Sequence, residues 1–255
     1  MIKMKLANIG VSFQEKTVIQ DISAVLDGGQ LTAIIGPNGT GKTTMIKAIA
    51  QLIKSRGNVL LQDDDGSVMP WNSIAYVPQM ATTTSDLTVF EMVLLGRVKE
   101  LSWKVEQRHL EAVTSVLTEL NLLSLSYSAF SRLSGGQRQL VTMAQALVSK
   151  PRVLLLDEPT SALDLRHQLE VMEIAQRYTR ETGAITVVVL HDLALAARYS
   201  DNIFLLHEGN LAKAGLPAAV LDAELLQRVY QVEVDVSVSS GGYTTVTPIR
   251  PSAAG

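Results

Sequence analysis

Leu31-Thr32-Ala33-Ile34-Ile35-Gly36-Pro37-Asn38-Gly39-Thr40-Gly41-Lys42-Thr43-Thr44 decides how this chain is read. Five residues with apolar character end in a glycine-rich turn, and a helical pattern follows from about Lys42 to Gln51. Strand, glycine loop and helix in that order make a phosphate-binding P-loop. Glycines let backbone N–H groups turn inward toward phosphate oxygens, and the helix N-terminus adds positive potential. Lys42 is expected to reach the β- and γ-phosphates, and the Thr43 hydroxyl to coordinate Mg²⁺. A chance glycine turn would not need both flanking elements.

A second glycine-rich stretch, Leu133-Ser134-Gly135-Gly136-Gln137, lies about a hundred residues downstream and opens a helical pattern. It offers a hydroxyl, backbone N–H groups and a helix dipole to an anion. One chain already has a phosphate site in its P-loop, so a second anion site makes sense if it caps the γ-phosphate on another copy. Further on, Val153-Leu154-Leu155-Leu156-Asp157-Glu158-Pro159 has the form of a Walker B strand. An apolar run ending in a carboxylate puts Asp157 at the C-terminal edge of the sheet, where it can hold Mg²⁺ directly or through water. Glu158 points differently and is the candidate to polarise the attacking water.

The length of 255 residues suits one large domain or two small ones, with ample core. A net charge of −3 gives no electrostatic case for nucleic acid, so no nucleic-acid partner is expected. With no cysteine, disulfides, thiolate chemistry and Cys-based zinc sites are excluded. The start, Met1 to Asn8, lacks the apolar core of a secretory signal, and the longest apolar stretches are far too short to span a bilayer. The chain is therefore expected to be soluble, and any membrane role needs a partner.

Strands are expected at Leu6 to Phe13 and Val18 to Leu26, which alternate apolar and polar residues, and at Leu31 to Ile35, Asn58 to Gln62 and Ile74 to Val77. Asp63-Asp64-Asp65-Gly66 reads as a solvated turn, because calcium-loop oxygens recur at alternate positions with a closing Glu. From Leu87 to about Leu147 the period becomes helical: Val89, Met92, Val93 and Gly96 share one face, and Leu110, Val113, Leu117 and Leu120 another. Strands return at Val153 to Leu156, Ile185 to Leu190 and Ile203 to Leu206, alternating with helices, so the core sheet should be largely parallel. The expected division is one cassette over 1–255. Its α/β core covers 1–86 and 151–235, an inserted helical subdomain covers 87–150, and a β-prone, then irregular tail covers 236–255.

With these residues in view, the chain resembles the ATP-binding cassette (ABC) ATPases. Leu133 to Gln137 matches that family's signature motif, Ser161-Ala162-Leu163-Asp164 its D-loop, Gln79 in Tyr76-Val77-Pro78-Gln79 its Q-loop, and His191 its switch histidine. All fall in family order. The resemblance implies an α/β, RecA-like P-loop NTPase core, with a largely parallel sheet, an antiparallel β subdomain and the inserted helical subdomain. It implies ATP and Mg²⁺ as cofactors and a head-to-tail homodimer with two ATP at the interface. Ser134, Gly135, Gly136 and Gln137 would then contact the partner's ATP. By the same resemblance Gln79 contacts Mg²⁺ and the attacking water, His191 bonds the γ-phosphate and Glu158, and Phe13 stacks on adenine. A core Phe is the alternative reading of Phe13. His109, His167 and His207 are read as ordinary histidines. Gln145 stands where the family commonly has Arg.

Leu87 to Arg97, Leu163 to Glu170, His191 to Asp201 and Leu225 to Tyr230 with Val232 to Val236 look like the ATPase subunits of bacterial importers for iron-siderophore, haem and cobalamin. That implies an integral membrane permease docked on the helical subdomain, and a peripheral position on the cytoplasmic face of the inner or plasma membrane. Trp103 is a candidate docking anchor, with a buried core Trp as the alternative. Another ABC transporter branch, a soluble ABC ATPase acting on ribosomes or DNA, and a P-loop phosphotransferase are the rival readings. The last of these would not need the second glycine motif.

Overall fold

A computed structural model describes residues 1–79, 85–100 and 105–252. Its centre is a six-stranded sheet in the order β5-β6-β7-β3-β8-β9. The strands are β3 (Leu31–Ile35), β5 (Ile74–Val77), β6 (Val153–Asp157), β7 (Ile185–Val189), β8 (Asn202–His207) and β9 (Asn210–Gly215). The first five run parallel, and β9 returns antiparallel on β8 through a short turn. Every residue of β3, β6 and β7 is buried, as expected for parallel strands covered on both faces.

Strand alternation assigns each side chain to one of two cores. Val153 and Leu155 of β6 join one apolar cluster, while Leu154 and Leu156 join the other. The first cluster is closed by α1 (Lys42–Ile49) and by a three-stranded antiparallel sheet of order β2-β1-β4. That sheet comprises β1 (Lys3–Phe13), β2 (Lys16–Asp27) and β4 (Arg56–Gln62). Its inward residues Met4, Leu6, Ile9, Ile19 and Ile22 are buried against Met45, Ile46 and Ile49 of α1.

The second cluster is closed by helices. α2 (Val89–Leu94) starts at a reciprocal cap, in which Thr88 accepts from the Glu91 N–H and Glu91 accepts from the Thr88 N–H. It tightens into a 3₁₀ turn over Leu95–Glu100, where Gly96 sits on the backbone of α4 (Gly135–Leu147). A Cβ at Gly96 would lie 1.9 Å from the Gln145 carbonyl oxygen, so only glycine permits this approach. Between them α3 (Gln107–Glu119) buries Val113, Val116 and Leu117. The expected helical face thus exists, but its Gly96 end is 3₁₀ rather than α. Trp103 lies outside the described residues.

α5 (Leu165–Thr182), α6 (Leu193–Tyr199), α7 (Pro217–Val220) and α8 (Ala223–Tyr230) complete the chain before a two-stranded antiparallel hairpin, β10 (Val232–Val238) and β11 (Thr244–Pro251). This corrects the reading of 236–255 as a tail that turns irregular. β10 runs through residue 236, and Thr244–Pro251 is a strand paired with it. Pro248 and Pro251 lowered the strand signal of that stretch. A two-stranded ribbon has only edges, and there proline is tolerated. The expectation that α1 reaches Gln51 is also corrected: the helix closes at Ala50, and Gln51 takes a positive φ of 55°.

Candidate active site

The P-loop joins β3 to α1 as its sequence implies. Gly41 adopts φ 97°, and a Cβ there would lie 2.6 Å from Ile19 Cδ1, so the turn packs directly under β2. Lys42 is buried and folds back over the loop. Its Nζ donates to the Gly36 carbonyl at 2.8 Å and to the Pro37 carbonyl at 2.9 Å. Burial pushes its ammonium below the ordinary lysine range, opposed by the nearby charges of Glu158 and Asp157. Thr40 ties the loop to itself by donating to the Pro37 carbonyl at 2.9 Å. A cleft of about 290 Å³ opens here, lined by Val18, Asn38, Gly39, Gly41, Lys42, Thr43, Thr44 and Glu158.

Asp157, at the end of β6, is buried and bound on both oxygens. Thr43 Oγ1 donates to Oδ1 at 2.9 Å, and the Tyr76 hydroxyl donates to Oδ2 at 2.9 Å. Burial and then the Asp157 contact push the Tyr76 phenol upward, which keeps it a donor. The paired hydroxyl and carboxylate oxygens of Thr43 and Asp157 are hard ligands at the cleft, the donor chemistry that Mg²⁺ takes.

Glu158 follows in the left-handed region, with φ 49°. A non-glycine residue there carries strain that the surrounding fold must hold. Its side chain forms part of the cleft wall. Gln79 Nε2 donates to Glu158 Oε2 at 2.9 Å, and His191 Nε2 lies 2.7 Å from Oε1. Gln79 comes from the segment after β5 and His191 from the turn after β7, the strands on either side of β6. The parallel order therefore delivers three polar groups to one edge of the sheet.

The remaining predicted residues are elsewhere. Ser134 to Gln137 form the start of α4, where Ser134 Oγ accepts from the Gln137 N–H at 3.3 Å and Gln137 Oε1 accepts from the Ser134 N–H at 3.0 Å. Asp164 caps α5. Neither group lines the cleft of its own chain. Phe13 ends β1 and is 51 % exposed, which overturns its alternative reading as a core residue. It too is absent from the cleft wall. The Asp63 to Gly66 stretch is a turn, and no group of three metal-binding side chains occurs among the described residues.

Two residues of the site were not singled out by sequence. Tyr76 sits in the same four-residue run as Gln79, but its partner lies 81 positions away. Val18 forms part of the cleft wall, yet in sequence it is one apolar residue of an alternating strand.

Comparison with known proteins gives the family and the fold. Residues 19–161 match the ABC transporter family. The chain is 38 % identical over 231 residues to the petrobactin import ATP-binding protein FpuC of Bacillus anthracis, covering 87 % of this chain and 84 % of that one. It is 35 % identical to the hemin import ATP-binding protein HmuV of Thermobifida fusca, covering 95 % and 87 %. A solved structure assigned to the metal-chelate type of ABC transporter, in an inward-facing conformation, superposes with a TM-score of 0.86 at 26 % identity, covering 98 % of each chain. Its P-loop core with an inserted helical region, and these relatives, make this chain a member of the ABC transporter family, an ATP-hydrolysing subunit of the ABC type.

Proposed function

We propose that this ATPase powers an importer for metal chelates of the iron-siderophore, haem or cobalamin class, by closing as a head-to-tail dimer around two ATP beneath a membrane permease. The observation that carries the catalytic part is Glu158 held between Gln79 and His191 at the mouth of the P-loop. The relatives' import roles support the branch. No helix among the described residues is long and apolar enough to cross a membrane, so the pathway would be supplied by the partner.

In this reading Lys42 exchanges its two loop carbonyls for the β- and γ-phosphates as nucleotide enters. The loop N–H groups and those of Thr43 and Thr44 at the start of α1 hold the remaining phosphate oxygens. Thr43, Asp157 and Gln79 would hold Mg²⁺, which would supply neutralisation of phosphate charge. Glu158 orients and polarises a water for in-line attack on the γ-phosphorus, and the bond to the β-phosphate oxygen breaks. His191 holds Glu158 and meets the γ-phosphate, while Lys42 and the partner's Ser134 turn face the charge that develops. Phe13, exposed at the end of β1, would take the adenine by stacking. Loss of the γ-phosphate removes a contact of Gln79, which joins the α/β core (1–86 and 151–235) to the helical subdomain (87–150). That subdomain then rotates and moves the permease.

The experiment is gentle recovery of the tagged chain from detergent-solubilised membranes, with partners identified by mass spectrometry. A polytopic permease is the expected partner, and its class narrows the cargo. Recovery of ribosomes or DNA-repair proteins without a membrane protein would overturn the importer reading and leave the ATPase chemistry intact.

A further inference from the structure

His167 lies on the first turn of α5, outside the P-loop cleft, yet it touches both the Asp164 loop and the Ser134–Gln137 turn, the stretch that the proposed function presents to a second copy. Its backbone N–H donates to Asp164 Oδ1 at 3.0 Å, and its Nδ1 lies 2.9 and 2.8 Å from the two carboxylate oxygens of Asp164. These bonds, the backbone one first, hold the Asp164 carboxyl below the usual carboxylate range. An ionised carboxylate only accepts, so Nδ1 carries the proton and donates. The face of the ring over Cδ2 presses on Gly136: a Cβ there would lie 2.3 Å from His167 Cδ2, 2.5 Å from Cγ and 2.7 Å from Nε2. The ring cannot swing aside freely, because Nδ1 is held by Asp164. The second glycine of the Ser134 turn is therefore required within the chain itself, whatever it does toward a phosphate.

We propose that His167 is a positioning residue that ties the Asp164 loop to the Ser134–Gln137 turn, so that both are presented to a partner as one rigid unit. The inference rests on the reading that these segments act across a dimer. The imidazole spans the gap with a donor on one side and a flat face on the other. An aliphatic side chain would leave Asp164 without its side-chain donor, and a smaller one would leave Gly136 without its neighbour. A tie between two binding segments raises affinity for the partner by removing the freedom each would otherwise lose on docking.

The test has two parts on the full chain. Thermal melting of the nucleotide-free monomer across Gly136→Ala, His167→Ala and the double variant reads the contact without any dimer. Gly136→Ala is expected to lower the melting temperature, and His167→Ala to recover most of that loss. Additive effects would overturn the tie and leave the dimer reading standing. The second part follows ATP-dependent dimerisation by light scattering in a Glu158→Gln background, beside nucleotide affinity of the monomer. His167→Ala should leave monomer affinity unchanged and raise the ATP needed for half-maximal dimer about three- to tenfold, the worth of one such hydrogen bond. His167→Asn, which keeps a donor toward Asp164, should regain part of that. An unchanged ATP requirement in His167→Ala overturns the proposal alone. Failure of Glu158→Gln itself to dimerise overturns the dimer reading, and the proposal with it.

Discussion

The P-loop cleft and the Ser134 turn are both glycine-rich helix entrances, but the chain finishes them differently. At the P-loop, polar groups from distant segments converge around one cleft: Lys42 on its loop, Thr43 and Tyr76 on Asp157, Gln79 and His191 on Glu158, with Lys42, Thr43 and Glu158 in the wall itself. At the Ser134 turn the polar groups satisfy one another in a reciprocal cap, and they form no part of the P-loop cleft's wall. In the proposed reading one entrance is half of an active site, and the other is a surface offered to a second copy. In that reading the second motif looks structural when only one copy is considered.

Substitutions at the two entrances should therefore fail in different ways. Glu158→Gln keeps the size of the side chain and removes the base. Steady-state ATP hydrolysis should fall about a hundredfold or more while nucleotide still binds. Near-normal turnover would remove Glu158 from the chemistry. Lys42→Ala deletes the buried ammonium, and nucleotide affinity measured by calorimetry should drop about 10- to 100-fold, the worth of a charge-assisted contact. Unchanged affinity would mean that Lys42 keeps its Gly36 and Pro37 bonds when nucleotide enters. Ser134→Arg, at the other entrance, should leave monomer affinity untouched and block dimer formation in the Glu158→Gln background. If ATP still dimerised that variant, the turn would be a helix cap and nothing more. The smallest effect is expected from Tyr76→Phe. Asp157 loses one of its two holders, and the Mg²⁺ concentration for half-maximal nucleotide binding should rise about tenfold, as for other residues that orient a metal ligand. An unaltered Mg²⁺ requirement would show that Thr43 alone orients the carboxylate.

Much of this was legible in the sequence because each motif combines local backbone demands with nearby chemistry. The glycines of 36–41, the apolar run into Asp157, and Ser134 followed three residues later by Gln137 each announce a strand end or a helix start. Their order along the chain also follows the alternation of strand and helix. What was not legible depends on contacts between distant segments. Tyr76 reads as a strand aromatic until β5 is placed beside β6. His167 reads as an ordinary histidine until α4 is seen packed against α5. Thr244 to Pro251 carries two prolines, and its pairing with β10 is what makes it a strand. Phe13 alternates correctly for a core position, but β1 carries register irregularities near its end, and the ring emerges exposed.

The central claim is that one chain holds a phosphate-binding half-site and a surface that completes another copy's. Light scattering of Glu158→Gln with and without Mg²⁺-ATP tests it most directly. Conversion of a 27.6 kDa monomer to a particle of twice that mass, only with ATP present, is the predicted result. A monomer that persists at saturating ATP would contradict it.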